Sequence, residues 1–221
     1  MTDSKNILLI GGHGKVGLLA TPLLVDAALN VTSLFRNPDH QPEIEGLGAT
    51  PLLQDVTTLT VEQWAELLSP FDTVIWSAGN GGKAGPEVTY AVDRDAAIAS
   101  IDGAVSLGDK APRYIMVSYI GATKHNVDPS DSFYAYADSK KAADEHLATT
   151  DLDYLILRPA ALTMDEVNGI AVIEDDPAAT WDRNTSRHLV AEVIAEFAAR
   201  ESFPDNRVLP FVDGDDKISE I

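Results

Sequence analysis

The chain has 221 residues, with 16 Lys+Arg against 35 Asp+Glu and a formal net charge of −19. That balance leaves no general basic surface for nucleic acid, whose phosphates are neutralised by Lys and Arg, or for anionic lipid. The absence of cysteine excludes disulfides, thiolate metal sites and a Cys nucleophile, while 45% apolar residues suffice for a full core.

The opening residues 1–6 lack the basic segment and apolar core of a secretion signal, and no apolar run approaches the ~20 residues of a membrane helix. A cytoplasmic protein with a small-molecule substrate, and with neither nucleic acid nor membrane as partner, is the expectation. The sequence carries no signal of oligomeric state. In chain order, short apolar runs alternate with helical segments. A strand at 7–10 precedes a helix at 15–29, and a second strand at 31–35 precedes a weaker one at 50–53, which Pro51 confines to an edge or an end. A helix at 61–68, a strand at 73–76 and a long helix at 87–107 follow. Next come a strand at 114–117, a helix at 133–149 and a strand at 154–157. Beyond Pro159 the pattern loosens to a strand at 170–173, a helix at 186–200 and a last strand at 208–212. The strands are near-continuous apolar runs, as expected where helices cover both faces. The alternation predicts a doubly wound parallel α/β sheet, Rossmann-like, in one domain over 1–221, with about 160–221 completing the substrate side.

The first strand runs into Gly11-Gly12-His13-Gly14-Lys15-Val16-Gly17, which contains G-x-G-x-x-G from Gly12 to Gly17 and opens the first helix. In that setting Gly12 serves the tight turn, Gly14 the approach of backbone to a pyrophosphate, and Gly17 the packing of helix on strand. The helix N-terminus supplies N–H groups and positive potential, with His13 and Lys15 facing the same anion site. A second glycine-rich run, 79–85, is not a nucleoside-triphosphate loop: Ala84 follows Lys83 where Ser or Thr is required, and Ser77 stands where the first Gly should be. It reads as a mobile loop. The acidic runs at 174–176 and 213–216 lack the spacing of a calcium loop and read as solvated turns.

An NAD-binding chain carries an acid at the end of the second strand for the ribose 2′-OH. Here Arg36 follows that strand, a residue able to grip a 2′-phosphate through a forked contact, so NADP(H) is expected over NAD(H). The alternative is an ordinary surface arginine.

These motifs, together with Phe35-Arg36-Asn37-Pro38, Gln54-Asp55-Val56, Trp76-Ser77-Ala78-Gly79, the stretch from Met116 to Ala122, Leu157-Arg158-Pro159 and Val212-Asp213-Gly214-Asp215, resemble the atypical short-chain dehydrogenase/reductase group, in its NmrA-like NAD(P)H-binding branch. The resemblance covers nearly the whole chain. It implies that Asp55 and Val56 contact adenine, and that Ser77, Ala78 and Gly79 line the cofactor. It also implies that Tyr136-Ala137-Asp138-Ser139-Lys140 is the Tyr-x-x-x-Lys element, with Lys140 bonding the nicotinamide ribose and Ser118 the substrate oxygen. Positions four apart share a helix face, so Lys140 is expected to lie near the Tyr136 hydroxyl and lower its pKa, making Tyr136 the acid that protonates a carbonyl oxygen. Tyr134 is a poorer candidate because Asp138 stands four residues on. Ser118 also reads as a loop cap and Asp55 as a helix cap. The resemblance implies that Arg158-Pro159 passes near the nicotinamide; the alternative for Arg158 is a partner in the region of Asp72 or Glu87, and it is left outside the site. Phe133, Tyr134, Tyr119 and Trp181 are candidates for aromatic surface against a planar substrate, or for core. The segment Ser186-Arg187-His188 reads as structural, with His188 departing from the family's usual Asp.

The resulting expectation is an NADP(H)-dependent oxidoreductase that reduces a small carbonyl, quinone or flavin-like acceptor. The alternatives are a non-catalytic NADP(H)-binding redox sensor and a sugar-nucleotide epimerase/dehydratase-like enzyme.

Overall fold

The chain alternates strand and helix because each apolar strand is buried on both faces and must be covered twice. The structure, a computed structural model, describes residues 4–79, 85–180 and 183–221. Its strands are β1 (Asn6–Ile10), β2 (Asn30–Phe35), β3 (Thr50–Leu53), β4 (Thr73–Trp76), β5 (Arg113–Val117), β6 (Tyr154–Pro159), β7 (Ala161–Thr163), β8 (Ile170–Val172), β9 (Asn184–Ser186) and β10 (Val208–Asp213). The helices are α1 (Lys15–Asp26), α2 (Gln41–Gly46), α3 (Val61–Leu68), α4 (Pro86–Thr89), α5 (Ala97–Ser106), α6 (Tyr134–Ala148) and α7 (Arg187–Ala199).

The main sheet has the order β3-β2-β1-β4-β5-β6-β10-β8 and is parallel except for β8, which runs antiparallel to β10. This is the doubly wound order, reversing direction between β1 and β4. β3 is the edge strand that Pro51 predicted. Alternate residues of β1 go to opposite faces: Ile7 and Leu9 pack with α1 and α7, Leu8 and Ile10 with α3 and α5. On the second face Trp64 and Trp76 are fully buried, with ring centroids 5.9 Å apart.

Three elements depart from expectation. α1 stops at Asp26 rather than near residue 29, because Ala28 turns into the left-handed region at φ 60°. The helix expected over 87–107 is α4 and α5 joined by a π-type segment, Tyr90–Ala96. Widened turns of this kind occur often at functional sites, and this one carries the fully buried Asp93. Finally, β7 and β9 form a separate parallel pair that the sequence pattern did not show.

Candidate active site

In an open parallel sheet ligands lie beyond the carboxyl ends of the strands, and two cavities occupy that edge. The first, about 310 Å³, lies over β1 to β4. Its walls include Gly11, His13 and Gly14 after β1, Arg36 after β2, Asp55 and Val56 after β3, and Ser77, Ala78 and Gly79 after β4. The expected cofactor residues His13, Gly14, Arg36, Asp55, Val56, Ser77, Ala78 and Gly79 therefore come together. Gly12, Lys15 and Val16 do not line the cavity: Gly12 is buried beneath the loop, Val16 belongs to the core and Lys15 is exposed.

The left-handed turn falls on Gly11 (φ 87°) rather than on Gly12 as expected. Gly12 is required for space, since a Cβ there would lie 1.7 Å from the Ser33 Oγ. Both loop amides, Gly11 and Gly12, donate to the Leu34 carbonyl at 3.1 and 2.9 Å, which pins the loop to β2. The N-terminus of α1 has no side-chain cap and no acid in its first turn. Its leading N–H groups thus remain available, and this is the donor set that a dinucleotide pyrophosphate requires.

At the far wall, His13 stacks on His40 with centroids 3.3 Å apart, and its Nε2 meets Glu43 at 2.7 Å. Arg36 is exposed and has no ion pair among the described residues. Asp55 is the cap of a short 3-10 turn, accepting from the Thr57 N–H and hydroxyl at 3.0 and 2.7 Å. The Thr57 hydroxyl and then its N–H hold this carboxyl below its usual range, helped by the charge of Arg36.

The second cavity, about 380 Å³, lies over the adjacent strands β5 and β6 and is lined by Ser118, Tyr119, Phe133, Tyr136 and Arg187, among others. Three rings form one wall: Tyr119 to Tyr136 is 5.7 Å, Phe133 to Tyr136 is 5.2 Å and Tyr119 to Phe133 is 5.8 Å between centroids. Tyr119 and Phe133 are thus the candidate aromatic surface. Tyr134 lies elsewhere, edge-on to His125, and Trp181 and most of the 79–85 loop lie outside the described residues.

Behind this wall is a buried charge network. Lys140, 3% exposed, donates to the Val117 carbonyl at 2.9 Å and lies 3.8 Å from the Asp93 carboxylate. Ser118 donates to Asp144 at 2.7 Å, and Arg158 grips the same carboxylate oxygen through Nε and Nη2 at 3.1 and 2.8 Å. The remaining Arg158 nitrogen bonds Asp175 at 2.5 Å. Arg158 is therefore partnered by Asp144 and Asp175, not by the region of Asp72 or Glu87. Burial pushes the Asp144 carboxyl up, opposed by Arg158, the Ser118 hydroxyl and Lys140.

Tyr136 makes no hydrogen bond among the described residues, and Lys140 Nζ lies 5.9 Å from its ring centroid. The expected lowering of its pKa does not occur. Burial, then the charge of Asp93, push the Tyr136 hydroxyl above its ordinary value, and Lys140, paired with Asp93, does not offset them. The phenol thus holds its proton firmly. Ser118 likewise gives its only proton to Asp144, so toward a substrate it presents lone pairs.

Asp144 and Asp93 were missed at the sequence level. Asp144 was legible, since Tyr136, Lys140 and Asp144 repeat every four residues on one helix face. Asp93 was not distinguishable in sequence from Asp95 and Asp102 of the same predicted helix. Arg187 carried no such signal, because β7, the strand it touches, was not foreseen.

A parallel nucleotide-binding sheet with an uncapped glycine-loop helix and a tyrosine–lysine helix beside it defines an NAD(P)H-binding protein of the short-chain dehydrogenase/reductase kind. The chain belongs to the NAD(P)H-binding family, whose model matches residues 11–201. It is 29% identical over 216 residues to a Bacillus subtilis protein described as an uncharacterized sugar epimerase, YhfK, covering 97% of each chain. A putative NAD-dependent epimerase/dehydratase from Bacillus halodurans superposes with a TM-score of 0.86 at 26% identity, over 98% of each chain. An anaerobilin reductase of Escherichia coli O157:H7, ChuY, shares the fold with a TM-score of 0.73 at 22% identity, covering 96% of this chain and 98% of that one. Among the described residues no helix is long and apolar enough to cross a membrane.

Proposed function

We propose that the protein is an NADP(H)-dependent oxidoreductase that reduces a small carbonyl, quinone or flavin-like acceptor, with Tyr136 as its proton donor. The observation that carries this reading is the placing of a hydroxyl with no hydrogen-bond partner among the described residues, that of Tyr136, on a ligand-sized cavity over strands adjacent to the first cavity. A sensor has no use for such a donor.

NADP(H) would lie with its pyrophosphate on the first turn of α1 and its 2′-phosphate against Arg36, an exposed guanidinium with no ion pair among the described residues, after a strand that offers no acid. When bound, it supplies the hydride. The chain's own groups do the rest. Tyr136 holds a proton at its hydroxyl and is placed to give it to a carbonyl oxygen, as a weaker acid than a pKa lowered by Lys140 would have made it. Lys140 is fixed by Val117 and Asp93 one helical turn from Tyr136, and would reach the nicotinamide ribose only by giving up one of those contacts. Ser118 accepts from a donor on the substrate, its own proton being committed to Asp144.

The epimerase reading of the relatives' names uses the same nucleotide cleft. It is the weaker reading here, since three aromatic rings wall the cavity beside Tyr136, a surface suited to the face of a flat acceptor. A fluorescence titration with NADPH and NADH, followed by a screen of quinones, flavins and aromatic aldehydes for NADPH oxidation, tests the proposal. Binding of NADPH with turnover on at least one acceptor class supports it, and binding without turnover on any of them removes it.

A further inference from the structure

The second cavity is apolar apart from a few groups, and among the described residues lining it Arg187 is the one with a formal charge. Its Nη1 donates to the carbonyls of Leu162 and Thr163 in β7, at 2.8 and 3.0 Å. The guanidinium is thereby held by one corner. Its Nε and Nη2 have no hydrogen-bond partner, and the group has no ion pair, among the described residues. The Nε–Nη2 edge presents two parallel N–H bonds at the spacing of carboxylate oxygens. An anchored guanidinium has lost its side-chain freedom before a ligand arrives, which reduces the entropy cost of binding.

Asp144, behind Ser118, is gripped by Arg158, and Asp213 accepts the Ser186 N–H at 2.7 Å. Arg187 also opens α7, whose Ser186 cap satisfies the His188 N–H, so the local helix potential favours an anion as well. In a chain of net charge −19, an anionic substrate is repelled by the general field and needs a local cation to be retained. The same cavity carries the rings of Tyr119, Phe133 and Tyr136, a surface suited to the face of a flat molecule.

We infer that this chamber selects planar aromatic carbonyl compounds bearing a carboxylate, and that Arg187 is the specificity-determining residue that takes the carboxylate. The inference rests on reading the cavity as the substrate chamber, and it deepens that reading by assigning the substrate class. Carbonyl and carboxylate stand on opposite ends of the molecule, one toward Tyr136 and one toward Arg187.

The test is calorimetric and needs no turnover. Naphthoate and its neutral isostere naphthamide are titrated into the full chain, with and without saturating NADP+. The acid is expected to bind about tenfold or more tighter than the amide, as a charge-assisted bidentate contact implies. In Arg187→Gln the two ligands are expected to bind alike, while affinity for NADPH stays unchanged. Arg187→Lys keeps the charge without the fork and should restore part of the preference, which also serves if the Gln variant loses the anchor on β7 and melts early. Phe133→Ala, at a ring 45% exposed, should weaken acid and amide equally. Equal binding of acid and amide by the wild type, or a preference that survives in both Arg187 variants, overturns the inference. Selective binding of naphthoate without NADPH oxidation on any acceptor upholds the anion site and removes the reductase reading. Turnover on neutral quinones with no preference for the acid does the reverse.

Discussion

Replacing Arg158 by Met leaves the Asp144 carboxylate fully buried without the two N–H donors that now reach it at 3.1 and 2.8 Å. The Ser118 hydroxyl and the more distant Lys140 charge remain, and neither supplies the lost pairing. Asp175 suffers less: it is 19% exposed and still accepts from the Gly121 N–H at 2.8 Å. Breaking one side of a buried ion pair costs about 3–5 kcal/mol. At about 2–4 °C per kcal/mol for a chain of this size, the melting temperature should fall by roughly 6–20 °C. The loss should be smaller at low pH. Without Arg158, burial holds the folded-state pKa of Asp144 above its unfolded value. The protonated form then fits the site below the unfolded pKa, and stability is lost as pH rises through the folded value. Adding Asp144→Asn removes the stranded charge while keeping an acceptor for Ser118. The double variant should therefore recover at least about 2 kcal/mol. Urea unfolding of wild type, single and double variants, at about pH 5 and pH 8, measures all of this. The reasoning fails if Arg158→Met costs under about 1 kcal/mol, or if the two substitutions simply add.

Gly12→Ala drives a methyl into the Ser33 Oγ and should cost about 1–3 kcal/mol, with weaker NADPH binding. Ser33→Gly in the same chain leaves the Ser33 Cα at 3.4 Å as the nearest atom, and calorimetry should show the affinity restored. Arg36→Ala should weaken NADPH about 10–100-fold and leave NADH unchanged in a fluorescence titration; equal losses for both cofactors would assign Arg36 no part in the 2′-phosphate. Burial raises the pKa of Tyr114 and Tyr136, and pushes Tyr119 up to about 12. Their folded values lie above the unfolded value of ~10. Their contribution to stability is therefore complete below about pH 10 and is lost as pH rises toward the folded values. Phenolate absorbance should accordingly lag behind that of the urea-unfolded chain and rise with alkaline unfolding; coincident titration curves contradict the burial of these rings.

The fold was legible because its signals are local. Apolar runs marked β1 to β6, and Pro51 confined β3 to an edge or an end, of which the sheet shows the edge. The glycine loop was legible for the same reason, since its spacing dictates close backbone approach. What escaped depends on contacts distant in sequence. The pair β7 and β9 joins residues some twenty apart with three residues each, too short for any periodicity. The partners of Arg158 lie on α6 and in the loop after β8, so its neighbours along the chain could not reveal them. The state of Tyr136 was misjudged for a related reason. Four-residue spacing brings Lys140 to the same helix face, but the charge of Lys140 belongs to Asp93, brought in by a π-type turn that no spacing rule predicts.

The central claim is that Tyr136 donates the proton in an NADPH-dependent reduction. The most direct measurement is the rate of NADPH oxidation by wild type and Tyr136→Phe on one aromatic aldehyde accepted by the wild type, with NADPH affinity and melting temperature recorded on both proteins. Loss of a positioned general acid predicts a fall in kcat of about 10²–10⁴-fold, with cofactor affinity and melting temperature unchanged. A Phe variant that reduces the aldehyde at the wild-type rate contradicts the account.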